Sequence, residues 1–171
     1  MPLEIILFVF FALIAAVSAV VMVTRPNPVM SAIFLVINFF ALAGLYLLLH
    51  AQFISVVQVI VYAGAIMVLF LFVLMLLNTK SEDKLLSGNS KIKVFAIVLA
   101  AFVFVQMAYL IFFSSPSGTM SPDVAASIKA GTIEQIGHDL YTNYLLPFEA
   151  AGFLLLASTI GALVLAKKKF E

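Results

Sequence analysis

The sequence has no cysteine and no tryptophan, and only 10% of its 171 residues are charged. Each scarcity excludes something. Without cysteine there is no disulfide framework and no thiolate metal site. Soluble domains carry ~25% charged residues. At 65% hydrophobic, this chain lacks the polar side chains to cover a surface facing water, so the bilayer is its solvent. A net charge of +1 without a basic patch argues against nucleic acid as a partner. The two histidines, His50 and His138, lie far apart in sequence and do not make a metal site on their own.

A further absence concerns where the charges fall. A spanning helix needs ~20 apolar residues. Five runs qualify, at about 3–23, 29–49, 53–77, 92–113 and 146–166. None holds an ionisable residue deep inside: Glu4 and Glu149 sit at ends, and every Lys and Arg lies in a loop or flank. Ionisable groups within a membrane normally mark ion or proton routes, so a free-standing pump or carrier finds no support. No nucleophile–base pair points to catalysis, and no internal repeat points to an inverted-repeat transporter.

The runs predict an all-α integral membrane protein with five transmembrane helices in a single membrane domain, 1–171. The first run reads as a span, not a signal peptide, because Glu4 and no basic residue precedes it and it is long for a signal's apolar region. "TRPNP" (24–28) and "HAQ" (50–52) are tight connections, so the first three spans are expected as neighbouring up-down hairpins. Residues 78–91 read as a polar loop and 114–144 as one long external connection. Within it, Thr132 and Gln135 have capping-box spacing before a short amphipathic helix bearing Ile133, Ile136 and Leu140. With the N-terminus outside, Arg25, Lys80, Lys84, Lys91, Lys93 and Lys167 to Lys169 fall inside, and only Lys129 falls outside. That bias predicts N-out, C-in.

The third run is the one awkwardly written. Val56, Val57, Val59, Ile60 and Val61 are β-branched and stiff at χ1, and Gly64 costs up to ~1 kcal/mol against Ala in a helix. Ser55, Gln58 and Tyr62 are spaced by three and four, which puts them on one α-helical face. That face reads either as a hydrogen-bonded seam between helices or as the wall of a hydrated route. "YAGA" (62–65) reads either as close packing or as a change of hydrogen-bond register; π-bulges are frequent at functional sites. Asn38 and Gln106 read as interhelical glue. Pro147 and Glu149 in "LLPFEA" read as an ordinary helix start, with proline at the first helical position. Glu149 is also a candidate polar interface group.

"ISVVQVIVYAGAIMVLFLFVLMLLN" (54–78) resembles the third helix of the subunit J family of bacterial NADH-quinone oxidoreductase, respiratory complex I, whose mitochondrial counterpart is chain 6. "IGHDLYTNYLLPFEAAGFLLLASTIGALVLAKKK" (136–169) and "RPNPVMSAIFLVINFFALAGLYLLL" (25–49) are similar to the family's last and second helices, with "AAG" at 150–152 where the family has "LAS". The resemblance implies a membrane-arm subunit that helps couple quinone reduction to proton translocation. It implies that no redox cofactor is bound by this chain, with FMN, iron–sulfur clusters and quinone held elsewhere in the complex. It implies the quinone-site subunit and the small and antiporter-like membrane subunits as partners, and the bacterial inner membrane as location. It also implies an α-to-π transition in the third helix around Tyr62 and Gly64, and the spacing of Ser55 and Gln58 on the Tyr62 face makes them candidates for the same hydrated route. Three rivals stand beside this reading: a related complex with another electron donor, a small stand-alone transporter, and a space-filling scaffold.

Overall fold

The computed structural model describes residues 2–77, 90–113 and 128–167. Most of the expected polar loop 78–91, residues 114–127 of the long connection and the terminal 168–171 lie outside the described residues. The elements in chain order are α1 (Pro2–Thr24), α2 (Pro28–Leu48), α3 (Gln52–Leu76), α4 (Ser90–Phe113), α5 (Ile133–Thr142) and α6 (Leu145–Ala166). No strand occurs among the described residues. Four helices, α1, α2, α3 and α6, are long and apolar enough to cross a membrane, while α4 carries a shorter apolar stretch, Val94–Leu110. The chain is therefore an all-α membrane protein with several spans.

Helix α3 changes character along its length. It is α-helical over Gln52–Val57, π-helical over Gln58–Ile66 and α-helical again over Met67–Leu76. The Gln58 amide still donates to the Ile54 carbonyl, four residues back, whereas the Met67 amide donates to that of Tyr62, five back. π-Helical turns are rare and usually single; nine residues is a long run.

The turn between α1 and α2 follows from its sequence. The Asn27 side chain accepts from the amides of Val29 (2.9 Å) and Met30 (3.4 Å), capping the start of α2. Pro28 occupies the first helical position, where a missing N–H is harmless. The two helices are then pinned at several levels. The Ser31 hydroxyl donates to the Met22 carbonyl at 2.6 Å. The Asn38 amide donates to the Ala15 carbonyl at 2.7 Å and the Ser18 hydroxyl at 3.2 Å. Gly44 lies against the ring of Phe11 so closely that a Cβ would sit 2.7 Å from it. Small and polar residues make such seams in membranes, where apolar burial from water cannot. Asn38 thus acts as the expected glue; Gln106 on α4 is exposed and bonds to nothing described.

The connection from α2 to α3 is a Schellman turn. The His50 amide donates to the Leu47 carbonyl and the Ala51 amide to that of Tyr46, both within 3.1 Å. This motif needs a left-handed residue just past the helix end, normally glycine. Here it is His50, at φ 61°. Beside it, Gly131 approaches the His50 carbonyl so closely that no Cβ fits, and the Phe53 amide donates to the Gly131 carbonyl at 3.4 Å.

Two local expectations need correction. Pro147 is the third residue of α6, not the first, because the helix begins at Leu145 after Tyr144. The first four amides of a helix have no intrahelical partner, so proline is tolerated through that turn. The capping box is only half formed. Thr132 accepts from the Gln135 amide at 3.4 Å, but the Gln135 side chain turns forward to Asp139 instead of back to the Thr132 amide, which already bonds the Lys129 carbonyl. Ile136 and Leu140 are half-buried, whereas Ile133 is exposed.

Candidate functional site

The first half of α3 packs on α2, and that packing places its polar residues. Ser55 is buried, and its hydroxyl donates to the Ala43 carbonyl of α2 at 2.7 Å. Gln58 opens the π-helical segment on the same face and is 8% exposed. Its amide makes no hydrogen bond among the described residues, yet no polar atom there is sealed without a partner, so the amide keeps an edge open to the outside. Ala63 and Met67 are buried further along.

Tyr62 does not share this buried face. It is 47% exposed, and its ring meets Phe39 of α2 edge-on, with centroids 6.0 Å apart. The α-helical spacing from Gln58 to Tyr62 no longer applies in a wider π turn, so the ring sits at the rim while Ser55 and Gln58 face the seam. An edge-to-face pair of this kind contributes ~0.5–1.5 kcal/mol beyond area burial. Two residues on, a Cβ at Gly64 would stand 3.2 Å from the Val59 carbonyl, five residues back. That approach is tighter than ordinary contact, and it comes from the helix's own backbone.

Of the sequence candidates, Ser55, Gln58, Tyr62 and Gly64 are therefore neighbours on one element, split between seam and rim. Glu149 is not with them. It is exposed near the start of α6, a helix that packs mainly against α5. Three participants had no signal in sequence reading: Phe39 as the partner of Tyr62, Ala43 as the acceptor for Ser55, and the Gly131–His50 approach at the N-terminal end of α3. A run of apolar residues gives no hint of which ring or carbonyl will face a given polar group. No group of three or more potential metal ligands exists among the described residues.

The arrangement sets a π-helical backbone segment beside a buried serine, a glutamine and a tyrosine, with no metal-ligand group among the described residues. It defines a multi-pass helical membrane protein in which Ser31, Asn38 and Ser55 bond across seams between helices. The sequence profile of the NADH-ubiquinone/plastoquinone oxidoreductase chain 6 family matches residues 18–165. The chain belongs to that family. Among similar proteins are the NAD(P)H-quinone oxidoreductase subunit 6 of the Paulinella chromatophora chromatophore, 41% identical over 95% of this chain and 78% of its own length. The NADH-quinone oxidoreductase subunit J of Rickettsia conorii is 32% identical over 97% of this chain and 82% of its own. The F(420)H(2) dehydrogenase subunit J of Methanosarcina mazei is 37% identical over 96% of this chain and 92% of its own.

Proposed function

We propose that this chain is a membrane-arm subunit of a proton-translocating NADH:quinone oxidoreductase, and that α3 couples quinone reduction to proton movement by changing hydrogen-bond register. The observation that supports this reading is the π-helical run Gln58–Ile66, opened by a buried Gln58 whose side-chain amide has no hydrogen-bond partner among the described residues, with Gly64 pressed on the Val59 carbonyl. In the π register, water reaches the open edge of Gln58 and the hydroxyl of Tyr62; in an α register, the side chains rotate and that path closes. The chain itself binds no FMN, iron–sulfur cluster or quinone. Those belong to other subunits, and this chain acts as a gate without carrying a proton on a side chain of its own. It sits in a bacterial inner membrane with five spans, α4 being the fourth, N-terminus out and C-terminus in. Its partners are the quinone-site subunit and the small and antiporter-like membrane subunits. A reporter fused at the C-terminus reads cytoplasmic if this orientation holds, and external if it is reversed.

Substituting Gly64→Val in the assembled complex tests the gate. Small-to-large changes in packed sites cost ~1–3 kcal/mol, and ~1.4 kcal/mol shifts a two-state equilibrium tenfold. NADH oxidation by artificial acceptors survives, while quinone reduction and coupled pumping both fall. Tyr62→Phe, which removes only the hydroxyl, assembles normally with a milder loss of pumping. A fully assembled Gly64→Val complex that pumps at the wild-type rate per electron refutes the gate and leaves a scaffold.

The M. mazei relative favours a second reading, the same role in a complex with another electron donor. A gene for an NADH-binding flavoprotein beside this one decides against it.

A further inference from the structure

We infer that the outer face of the α1–α2 hairpin is a binding site for one anionic glycerophospholipid. An apolar groove of about 370 Å³ runs along this face, lined by Phe10, Leu13, Ile14, Val17 and the buried Ser18 of α1 and by Phe34 and Ile37 of α2. Small-ligand sites span ~300–1,000 Å³, so the groove holds a hydrocarbon chain. From Phe10 to Val17 it extends ~10 Å along the helix axis across the middle of α1. Its near end at Val17 is ~12 Å from the level of Arg25, within reach of an acyl chain spanning the ~15 Å depth of one leaflet.

Two features select a lipid chain over a partner helix. The seams this protein uses between its own helices are built from small residues: Ala32, Ala41, Ala43 and Ala63 are all buried, and Gly44 touches Phe11. Small residues let helix backbones approach. The groove instead presents large, branched and aromatic side chains, which suit a flexible chain. The second feature is the cation at its mouth. The Arg25 guanidinium lies over the Phe34 ring at 6.0 Å from the centroid, within the range of a cation–π contact. Arg25 has no carboxylate partner and no side-chain hydrogen bond among the described residues. It stands in the turn just past Thr24, at the level where a headgroup lies when its chain follows Phe34 into the groove. Guanidinium recognises phosphate oxygens in bidentate fashion. The groove is also preformed, since Ser31–Met22, Asn38–Ala15 and Gly44–Phe11 lock the two helices together at successive levels. A lipid entering it orders little protein.

The test uses the intact membrane complex. A photo-crosslinking phenylalanine analogue in place of Val17 is activated in membranes, and the adduct on this chain is weighed. A phospholipid adduct is expected; a crosslink to another polypeptide, or none, overturns the proposal. In parallel, the purified complex is exchanged into nanodiscs of phosphatidylglycerol and phosphatidylcholine, and retained lipid is counted by native mass spectrometry. The wild-type complex retains phosphatidylglycerol preferentially. Arg25→Gln lowers that preference about fivefold, and Ile37→Trp, which fills the exposed groove, removes the retained molecule while the complex stays assembled. Equal retention of phosphatidylglycerol in all three complexes refutes the site.

Discussion

The two ends of this chain have nearly the same composition and opposite surroundings. In the first three helices, small and polar residues are spent on partners within the chain: Asn38 on Ala15, Ser31 on Met22, Ser55 on Ala43 and Gly44 on Phe11. In α6 the same residue types meet no other element among the described residues. Gly152 and Gly161 have no atom within 4 Å of where a Cβ would stand. The hydroxyls of Ser158 and Thr159 turn back to the Leu155 carbonyl of their own helix. No described side chain of α6 is buried, and none whose exposure is described on α4 is either. Apolarity alone therefore does not pack membrane helices, because lipid is as apolar as leucine. The N-terminal three helices pack on one another through α2. The ridges of α4 and α6 are open among the described residues, and if other subunits of the complex cover them, a substitution there acts on assembly and not on the folding of this chain.

The largest test of this contrast is a matched pair of substitutions. Gly44→Leu forces a side chain into the Phe11 ring, at a typical cost of ~1–3 kcal/mol for overpacking. It lowers the amount of chain that accumulates, whether or not other subunits are present. Gly161→Leu meets open space within the chain. It leaves insertion and accumulation of the isolated chain unchanged but blocks incorporation into the complex, read by native gel electrophoresis. If Gly161→Leu assembles normally, α6 faces lipid and no subunit covers its open ridge.

A smaller effect is expected where the two halves of the chain meet. The segment before α5 reaches the N-terminal unit through Gly131, whose carbonyl accepts from the Phe53 amide and whose Cα abuts the His50 carbonyl. Gly131→Ala drives a methyl into that carbonyl, so the segment must lift away. Losing one such hydrogen bond costs ~1 kcal/mol. The Phe53 amide, measured by hydrogen exchange in the purified complex, is expected to exchange about fivefold faster, with the amides of Ala43 and Gly44 unaffected. Unchanged exchange at Phe53 shows that the contact holds nothing in place.

These contrasts mark how far the sequence could be read. The helices and their approximate ends were legible because long uncharged runs and the prolines Pro26 and Pro28 carry local physics that tertiary packing does not override; the Asn27 cap emerged only in the structure. The first three helices were legible as neighbours because "TRPNP" and "HAQ" leave no room for any other arrangement. Val56 to Val61 and Gly64 marked a segment poorly suited to an α-helix, but β-branching does not say which register the backbone takes. The split of Ser55 and Gln58 from Tyr62 was out of reach, since it depends on that register. Pro147 was misplaced because the whole first turn, and not one position, tolerates a missing amide hydrogen. The openness of α6 was illegible for a related reason: its glycines read the same whether their partners lie inside the chain or in another subunit.

The smallest expected effect separates two turns of similar length. The α2–α3 turn uses a left-handed residue, His50 at φ 61°, while the α5–α6 turn passes through Asn143 at φ −87°. A left-handed conformation costs a residue with a Cβ ~1–2 kcal/mol. Glycine removes that cost but loses ~0.5–1 kcal/mol through its freer unfolded chain. His50→Gly is therefore expected to be neutral or stabilising by up to about 1.5 kcal/mol. Asn143→Gly has no strain to relieve, so it carries only the entropic loss of ~0.5–1 kcal/mol. It also removes the Asn143 side-chain bond to Asp139, at 3.3 Å. Thermal unfolding of the two variants in the same detergent should place the His50 variant at or above the parent and the Asn143 variant below it. Equal losses from both would mean that His50 is not strained in its turn. The Schellman geometry would then be held by the Gly131 segment pressing on the His50 carbonyl, and not by the α2 helix end itself.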